Sequence, residues 1–282
     1  MKTTTTEKEL QELLAPFKKE GKTIGFVPTM GALHSGHISL ITAAKKECDI
    51  VVCSIFVNPT QFDKEADLVS YPITIEADSK LLSDADCDFL ILPSVQEVYP
   101  NGKDDYTAPN IGPIVNILEG QHRKGHFNGV MQVVERLLRM TTATHLYMGL
   151  KDYQQYLICW KMASAVGLNV EMRGMPIVRE EDGLAKSSRN VRLTKEGRKT
   201  AVYLSKRLKK TRDLLPINNI KRLEKKAQEF YDKKAGIDLE YFEIVDRDTL
   251  MKPNGKSKKD SLIALMAAWV DGVRLIDNMV LS

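Results

Sequence analysis

A regular alternation of apolar runs with amphipathic segments, in the larger N-terminal part of the chain, constrains the fold most strongly. Five short apolar runs bounded by turn residues are typical of buried strands. They are TIGFVPT (23–29), DIVVCSIFVN (49–58), DFLILP (88–93), THLYMG (144–149) and LNVEMRGMPIV (168–178). Between them, HISLITAAKKE and GVMQVVERLLRMT place apolar residues three and four positions apart, which predicts helices. This alternation predicts an α/β fold, with a parallel sheet and helices on both of its faces.

The pattern changes after about residue 180, where long lysine-rich amphipathic segments replace the alternation. Two such segments, TKEGRKTAVYLSKRLKKTRDLL and NNIKRLEKKAQEFYDKKAG, precede strand-like LEYFEIVDRDT and a hairpin signal, AAWVDGVRLI. Asp271 and Gly272 in that signal supply the positive φ angles that a two-residue turn requires. We therefore predict a larger α/β domain over residues 1–178 and a smaller C-terminal α+β domain over residues 179–282.

Composition excludes several classes of protein. With 282 residues, 43% of them hydrophobic, the chain can bury a sizeable core, so disorder is not expected. The longest apolar run, LIALMAAWV, is too short to cross a bilayer, and the charged N-terminus does not look like a signal peptide. The cysteines are scattered without a CxxC pair, which indicates reduced core residues rather than a zinc site. They are Cys48, Cys53, Cys87 and Cys159. We expect a cytoplasmic protein with no membrane partner.

The net charge of +4 conceals an asymmetry between the two parts of the chain. Residues 185–282 contain 23 lysines and arginines against 13 acidic residues, whereas residues 1–184 contain 18 against 24. A basic C-terminal part could bind nucleic acid, close over a polyphosphate, or be ordinary solvated surface. Its lysines are interleaved with acids on amphipathic helices, and few aromatic residues are present for base stacking, so nucleic-acid binding is not expected.

Two histidines stand three positions apart in GFVPTMGALHSGHISLI, where a predicted strand ends and a predicted helix begins. Ligands of open α/β sheets bind at this edge, and the free N–H groups and positive dipole end of a helix attract anions. His34 and His37 offer two donors for neighbouring phosphate oxygens, which suits a polyphosphate. Two alternatives stay open: half of a metal site, although HxxH lacks the glutamate of the metalloprotease pattern, and ordinary polar residues at a helix start.

Other polar residues follow neighbouring predicted strands. FVNPTQF carries Asn58 and Gln61, whose amides can bind a hydroxyl or a carboxylate without adding charge, although Asn-Pro is also a common turn signal. MGLKDYQQ carries Lys151, a mobile cation for phosphate, and Asp152, which could instead cap the next helix. Because the carboxyl ends of parallel strands meet at one edge, we expect these segments to converge there. The residues are His34, His37, Gln61, Lys151 and Gln155.

Two further segments are candidates for the same site. HRKGHFNGV places Arg123, Lys124 and His126 before a predicted helix, and its simpler interpretation is an exposed basic loop. DGLAKSSRN (182–190) lies between the predicted domains and could fold over the phosphates of a nucleotide. Linkers rich in Ser, Lys and Arg are also frequent without a function, so this loop alone does not decide.

Taken together, these segments resemble one enzyme family. TMGALHSGH, FVNPTQF, GHFNGV, GLKDYQQ and DGLAKSSRN, in this order, look like the pantoate:β-alanine ligases, or pantothenate synthetases, over nearly the whole chain. HSGH is similar to the HxGH motif of the wider nucleotidylyltransferase and class I aminoacyl-tRNA synthetase superfamily, and KSSR to its KMSKS-type loop. The resemblance implies a Rossmann-like sheet carrying an HxGH nucleotide site, and a homodimer.

The resemblance also implies ATP-dependent condensation of (R)-pantoate with β-alanine, with Mg²⁺, through an enzyme-bound pantoyl-adenylate, releasing AMP and pyrophosphate. Gln61 matches a glutamine that contacts both pantoate and β-alanine, and Gln155 matches a second pantoate contact. His37 matches the assigned proton donor, and His34, Lys151 and Arg189 complete the expected catalytic set. The matching ATP-binding positions are Met30, Gly31, Ala32, Leu33, His34, Ser35, Gly36, His37, Gly149, Leu150, Lys151, Asp152, Val178, Lys186, Ser187, Ser188 and Arg189. The sequence identifies no Mg²⁺ ligands.

Three positions depart from the family pattern. Lys186 stands where the family usually has a hydrophobic residue, Leu150 replaces a more usual polar residue, and Lys124 takes a place often held by proline. None of these changes removes a catalytic side chain. We expect them to affect the rigidity of the loops and the charge around the phosphates rather than the reaction.

Two other enzyme classes are alternatives. Another nucleotidylyltransferase would use HxGH on a phosphorylated substrate, but the two glutamines and the FVNPTQF segment argue against it. A metal-dependent hydrolase would bind its metal through histidines. The candidates for that role are His34, His37, His122 and His126.

Overall fold

The structure is a computed structural model that describes residues 1–62, 68–215, 219–253 and 261–281. It comprises two units. One contains Met1–Leu150 and Gln154–Pro176, and the other contains Lys151–Tyr153 and Ile177–Ser282. Every helix within the described ranges is too short or too polar to span a membrane.

The larger unit is built on a six-stranded parallel sheet in the order β1-β4-β3-β2-β5-β6. The strands are β1 (Lys2–Thr4), β2 (Ile24–Thr29), β3 (Ile50–Ile55), β4 (Phe89–Ile91), β5 (His145–Gly149) and β6 (Glu171–Met175). All five strands predicted for this sheet are confirmed. The edge strand β1 was not predicted, because its sequence, KTT, carries no apolar pattern and only its last residue is buried.

Helices connect these strands and cover the sheet. They are α1 (Glu7–Lys19), α2 (Ser35–Glu47), α3 (Ile75–Asp84), α4 (Val95–Val98), α5 (Glu119–His122), α6 (His126–Thr141) and α7 (Tyr153–Ala165). The apolar stripe of α2 packs on the sheet together with α3 in one continuous core. Its buried members include Val27, Leu40, Ile41, Ala44, Val51, Leu82 and Leu90. All four cysteines are buried and free of disulfide bonds, in agreement with the sequence prediction.

The smaller unit packs two long helices against a three-stranded antiparallel sheet, in the order β7-β8-β9. The elements are α8 (Lys195–Leu214), α9 (Ile220–Asp232), β7 (Asp238–Asp246), β8 (Leu262–Val270) and β9 (Val273–Val280). Asp271 and Gly272 join β8 to β9 with φ angles of 51° and 72°, which confirms the predicted tight hairpin. A parallel α/β unit with a smaller α+β unit is the predicted fold class, and it is confirmed.

Candidate active site

Three neighbouring strands of the larger sheet end at the same edge. The strands β3, β2 and β5 are adjacent and parallel, and they end at Ile55, Thr29 and Gly149. The segments that leave these ends carry the polar residues singled out by the sequence. Ligands of open α/β sheets bind at this edge, so the local geometry of each segment decides what the site can bind.

The turn after β2 is held in an unusual backbone conformation by a buried carboxylate. Gly31 and Ala32 have φ angles of 86° and 49°, which place two successive residues in the left-handed region. The amides of Ala32 and Leu33 donate to the two oxygens of Asp78, at 2.9 and 2.8 Å, and the Thr74 hydroxyl donates to the same carboxylate at 3.1 Å. The turn that leads into the histidine pair is thereby fixed to α3.

Sequence reasoning missed Asp78. The side chain is only 1% exposed, and it lies four positions before buried Leu82 on the same face of α3. An acidic residue on the apolar face of a helix was the signal, because a buried carboxylate requires hydrogen-bond donors from elsewhere in the fold.

The two histidines cap α2 reciprocally. His34 is the N-cap residue in extended conformation, and its Nδ1 accepts from the Gly36 amide at 3.1 Å. The Nδ1 of His37 accepts from the His34 amide at 3.3 Å, and the two ring centroids are 4.2 Å apart. A neutral imidazole that accepts at Nδ1 carries its proton on Nε2. Both rings therefore supply Nε2–H donors, as a polyphosphate requires.

One sequence expectation about this helix start is wrong. The first amides of α2 were expected to be free to bind an anion, but Gly36 donates to the His34 ring and His37 donates to the His34 carbonyl at 2.8 Å. These amides are used because His34 and His37 form a capping box across the first turn. Because the Gly36 and His37 amides are taken, the imidazoles and the helix dipole become more important for anion binding here.

The segment after β3 places Gln61 against the turn after β2. Asn58 caps a short 3₁₀ turn, Pro59–Gln61, and is only 1% exposed. Its Nδ2 donates to Gln61 Oε1 at 3.2 Å, while Gln61 Nε2 donates to the thioether sulfur of Met30. The structure thus brings two predicted site residues, Met30 and Gln61, into direct contact.

The basic segment at the start of α6 holds the backbone carbonyl of Gln61 by hydrogen bonds. The Gln61 carbonyl accepts from His126 Nδ1 at 2.7 Å and from Arg123 Nη2 at 3.4 Å, and Arg123 Nη1 donates to His126 Nε2 at 3.0 Å. His126 is 6% exposed, whereas Lys124 is exposed on the surface. The interpretation of this segment as an exposed basic loop therefore holds for Lys124 and is wrong for His126.

Gly129 allows α6 to approach the 3₁₀ turn closely. A Cβ atom added at Gly129 would lie 2.3 Å from the carbonyl oxygen of Thr60, well inside the contact distance. The carbonyl of Gly129 in turn accepts from Asn58 Nδ2 at 3.1 Å. This contact joins GHFNGV to FVNPTQF, two of the segments that the sequence analysis assigns to one site.

The turn after β5 carries Lys151 and the helix that follows carries Gln155. The Nζ of Lys151 lies 3.7 Å from a carboxylate oxygen of Asp152, a side chain that is 46% exposed. Gln155 is half-buried on α7, and its side chain makes no hydrogen bond within the described ranges. Its neighbour Gln154 is instead 2% exposed and donates to the carbonyls of Ile114 and Ile117. Of these two glutamines, Gln155 is the one with an amide available to a ligand.

In the smaller unit, the KSSR segment directly follows a hairpin that is anchored by an ion pair. Arg179 binds both carboxylate oxygens of Asp277, at 2.7 and 2.9 Å, and Asp277 is 3% exposed. Lys186 Nζ pairs with Glu180 at 2.7 Å, and the Lys186 amide donates to the Val178 carbonyl. Ser187, Ser188 and Arg189 then enter a short 3₁₀ turn, Ser188–Arg192, in which the Ser187 hydroxyl accepts from the Arg189 amide.

Within the described residues, one group of three potential metal ligands has its ligand atoms within 4.8 Å of one another. It consists of Glu47, His145 and Glu171, at the opposite edge of the sheet, where β5 and β6 begin. The carboxylates of Glu47 and Glu171 are already paired with Arg173. The group includes none of the four histidines that the hydrolase alternative requires.

Comparisons with known proteins support the resemblance found in the sequence. The family model described as Pantoate-beta-alanine ligase matches residues 2–280. A pantothenate synthetase of Porphyromonas gingivalis is 44% identical over 274 residues, 97% of each chain. One of Phocaeicola vulgatus is 44% identical over 280 residues, 99% of each chain.

Solved structures give the same result for the fold. A pantothenate synthetase of Thermus thermophilus superposes with a TM-score of 0.92 at 38% identity, covering 100% of this chain and 99% of that one. A pantoate-beta-alanine ligase of Francisella tularensis, complexed with beta-gamma ATP and beta-alanine, gives a TM-score of 0.81 at 35% identity and covers 100% and 98% of the two chains. The fold, the ordered motifs and the family match agree: this chain is a ligase and belongs to the pantoate-beta-alanine ligase family.

Proposed function

We propose that this site condenses (R)-pantoate with β-alanine, using ATP, through an enzyme-bound pantoyl-adenylate, and releases AMP and pyrophosphate. The observation that carries the proposal is the pair of Nε2–H donors on His34 and His37 at the sheet edge where Gln61 contacts Met30. That arrangement supplies donors for a polyphosphate next to a neutral amide for an organic acid.

In the first step, the pantoate carboxylate attacks the α-phosphorus of ATP and pyrophosphate leaves. Two anions must approach each other, so the site has to offset their repulsion and the charge that grows on the leaving pyrophosphate. The groups assigned to this task are His34, His37, Lys151 and Arg189. His37, which matches the family's assigned proton donor, presents its Nε2–H to the departing oxygen as a hydrogen-bond donor. Arg189 is suited to gripping two oxygens at once. No protein nucleophile is required.

The ATP-binding positions are assigned from Met30 to His37, from Gly149 to Asp152, at Val178 and from Lys186 to Arg189. Within these segments Asp152 is the one acidic residue, and its carboxylate is 46% exposed. Mg²⁺ bound through substrate phosphates needs only one or two protein carboxylates and keeps several waters, a mode that Asp152 fits. When bound, Mg²⁺ supplies positive charge to the phosphates.

In the second step, the neutral amine of β-alanine attacks the acyl carbon and displaces AMP. Placement of the two reactants and exclusion of water supply much of the catalysis. Gln61 and Gln155 hold pantoate, and Gln61 also contacts β-alanine. Because an amide carries no charge, neither glutamine repels the pantoate carboxylate nor traps the amine as ammonium.

At the level of the chain, residues 1–178 form the ATP- and pantoate-binding domain and residues 179–282 form a lid that carries KSSR. The support for a lid is charge: residues 185–282 contain 23 lysines and arginines against 13 acids, which favours closure over ATP. The enzyme acts as a cytoplasmic homodimer. Sedimentation equilibrium of the purified protein tests the dimer, and a mass of one chain would contradict it.

Product analysis with one substrate omitted at a time tests the reaction. We expect AMP and pyrophosphate to form only when ATP and pantoate are both present, and pantothenate to form only when β-alanine is added. AMP that forms without pantoate, or ADP with phosphate in place of AMP, would overturn the proposed chemistry.

A further inference from the structure

A buried chain of hydrogen bonds runs from Tyr99 through Asn58 to Gln61. The Tyr99 hydroxyl donates to Asn58 Oδ1 at 2.7 Å, and Asn58 Nδ2 donates to Gln61 Oε1 at 3.2 Å. Tyr99 is 5% exposed and Asn58 is 1% exposed, so neither group can exchange these bonds for water. The chain ends at the amide group that is proposed to bind pantoate and β-alanine.

Two backbone groups fix the direction of this chain. The Thr60 amide, which can only donate, donates to Asn58 Oδ1 at 3.3 Å, and the Gly129 carbonyl, which can only accept, accepts from Asn58 Nδ2 at 3.1 Å. The Asn58 oxygen and nitrogen are therefore assigned by unambiguous partners. Tyr99 must donate, and Gln61 must accept at Oε1.

The Gln61 amide is consequently turned with its nitrogen away from Asn58. Its Nε2 donates to the Met30 thioether, which is a weak acceptor. A carboxylate or hydroxyl oxygen of a substrate is a stronger acceptor and would replace the sulfur. The direction of these hydrogen bonds thus determines that the Gln61 side chain donates an N–H group to its substrate.

We propose that Tyr99 is a positioning residue which, through Asn58, holds the Gln61 amide with its N–H groups presented to an acceptor oxygen of pantoate. The proposal rests on the proposed role of Gln61 in binding pantoate. Burial raises the pKa of Tyr99 to about 12, so its hydroxyl stays a donor throughout the neutral range. The bond from Tyr99, at 2.7 Å, is the shortest of the three that Asn58 Oδ1 accepts, since the other two donors are at 3.1 and 3.3 Å.

Tyr99→Phe removes the donor and keeps the ring, and Tyr106→Phe is a matched control. Both tyrosines line the same cavity of about 320 Å³, but Tyr106 donates to Glu135 and not to Asn58. We expect Tyr99→Phe to lower kcat/KM for pantoate about tenfold, the usual size of the loss of one buried hydrogen bond, with KM for ATP unchanged. Tyr106→Phe should leave both values within about twofold of the wild type.

A double-mutant cycle with Gln61→Ala separates positioning from general damage to the fold. If Tyr99 acts through Gln61, Tyr99→Phe should have no further effect on kcat/KM for pantoate once the Gln61 amide is absent. Equal losses in both backgrounds would overturn the proposal. If Gln61→Ala itself leaves kcat/KM for pantoate unchanged, the proposed role of Gln61 in binding pantoate is wrong. That result is distinct from a failure of the positioning role of Tyr99 alone.

Thr60→Val gives an independent test in case Tyr99→Phe does not fold. This variant removes the second hydroxyl that donates to Asn58 Oδ1, at 3.1 Å, together with its 3.5 Å contact to the Tyr99 hydroxyl, and keeps the Tyr99 donor. We expect a smaller loss in the same direction, confined to pantoate and likewise abolished by Gln61→Ala. The positioning of Gln61 through Asn58 would be contradicted if Thr60→Val left kcat/KM for pantoate unchanged. It would also be contradicted if the loss persisted in the Gln61→Ala background.

Discussion

At the scale of single residues, each histidine of the pair uses one ring nitrogen to cap α2 and the other for the proposed reaction. The Nδ1 atoms of His34 and His37 accept from backbone amides and so complete the first turn of α2. Their Nε2 atoms carry the N–H groups that donate hydrogen bonds to the phosphates in the proposed adenylation. Replacing a ring by a side chain that resembles only one of its nitrogens therefore separates the two tasks.

His37→Gln and His37→Asn test this division, since the glutamine nitrogen approximates Nε2 and the asparagine side chain approximates Nδ1. We expect His37→Ala to slow AMP formation on the order of 10²-fold, as for loss of one donor to transition-state charge. His37→Gln should form AMP faster than His37→Asn. His37→Asn, in turn, should unfold at a higher temperature than His37→Gln. Single-turnover AMP formation and thermal unfolding provide the two readouts. Equal rates in the Gln and Asn variants would contradict the assignment of Nε2.

The buried carboxylate of Asp78 gives a second prediction at this scale. Asparagine at position 78 has one acceptor oxygen for the two amides, of Ala32 and Leu33, that now donate to the carboxylate. We expect Asp78→Asn to lower the free energy of unfolding by about 1–3 kcal/mol and to raise KM for ATP, because one buried amide loses its partner. Urea denaturation and steady-state kinetics measure the two effects.

Asp84→Asn is the control for this change, since Asp84 lies on the same helix but is 60% exposed and pairs with Lys80 on the surface. It should leave both stability and KM for ATP nearly unchanged. A folded Asp78→Asn enzyme with the KM of the wild type would show that the turn after β2 does not need this anchor.

At the scale of elements, the amino edge of the sheet is held together by an ion-pair cluster that is separate from the site. Arg173 on β6 donates to Glu47 at the end of α2 at 2.7 Å, and the Tyr147 hydroxyl on β5 donates to the same carboxylate at 2.6 Å. These hydrogen bonds lower the pKa of Glu47 to about 2, and the bond from Arg173 has a larger effect than the bond from Tyr147. The cluster therefore joins three elements through one ionised carboxylate.

The contribution of Glu47 should depend on pH in a defined direction. Its pKa in the folded protein lies below the ordinary value of 4.5, so its stabilisation is complete above about pH 4.5 and is lost as the pH falls toward 2. We expect the free energy of unfolding of wild type to exceed that of Glu47→Gln at pH 6, by less than about 1 kcal/mol because the carboxylate is 38% exposed. The difference should shrink between pH 4.5 and pH 2 in urea titrations.

Glu12→Gln, an exposed change on α1, is the control for this titration. A difference between wild type and Glu47→Gln that grows on acidification would contradict the assigned direction of the pKa shift.

At the scale of the whole molecule, the proposed closure of the basic lid can be tested by limited proteolysis. Trypsin cleaves after lysine and arginine, and Lys186 and Arg189 stand in the segment proposed to close over ATP. We expect ATP with pantoate to slow cleavage at these residues, whereas cleavage at Arg212, a half-exposed residue near the end of α8, should keep its rate. Equal cleavage at Lys186 with and without ATP would count against a lid.

The fold could be predicted from the sequence wherever a short segment carries its own periodic pattern. The buried runs of β2 to β5 and the Asp271-Gly272 turn are of this kind, because local preference and tertiary structure agree there. The run of β6 also forms its strand, but at the edge of the sheet, where it is only partly buried. Strand β1 could not be found, since it is stabilised by pairing with β4 and not by an apolar pattern of its own.

The candidate site was predictable to a smaller degree. Its donors and amides could be recognised by type and position, but the groups that hold them could not. Asp78 meets the turn after β2 from α3, and His126 meets Gln61 from α6, across 45 and 65 positions of the chain. Such partners are set by the packing of distant elements, and a single sequence carries no periodic signal for them.

The close approach at Gly129 has a consequence for what this chain can become. In an isolated helix, alanine would be more stable than glycine at an interior position by about 1 kcal/mol. In this fold the methyl group would collide with the Thr60 carbonyl and force the Asn58 turn outward. Substitutions meant to raise the thermal stability of the protein must therefore leave Gly129 unchanged, because its missing methyl group makes room for the turn that holds Gln61, the amide proposed to bind the substrates.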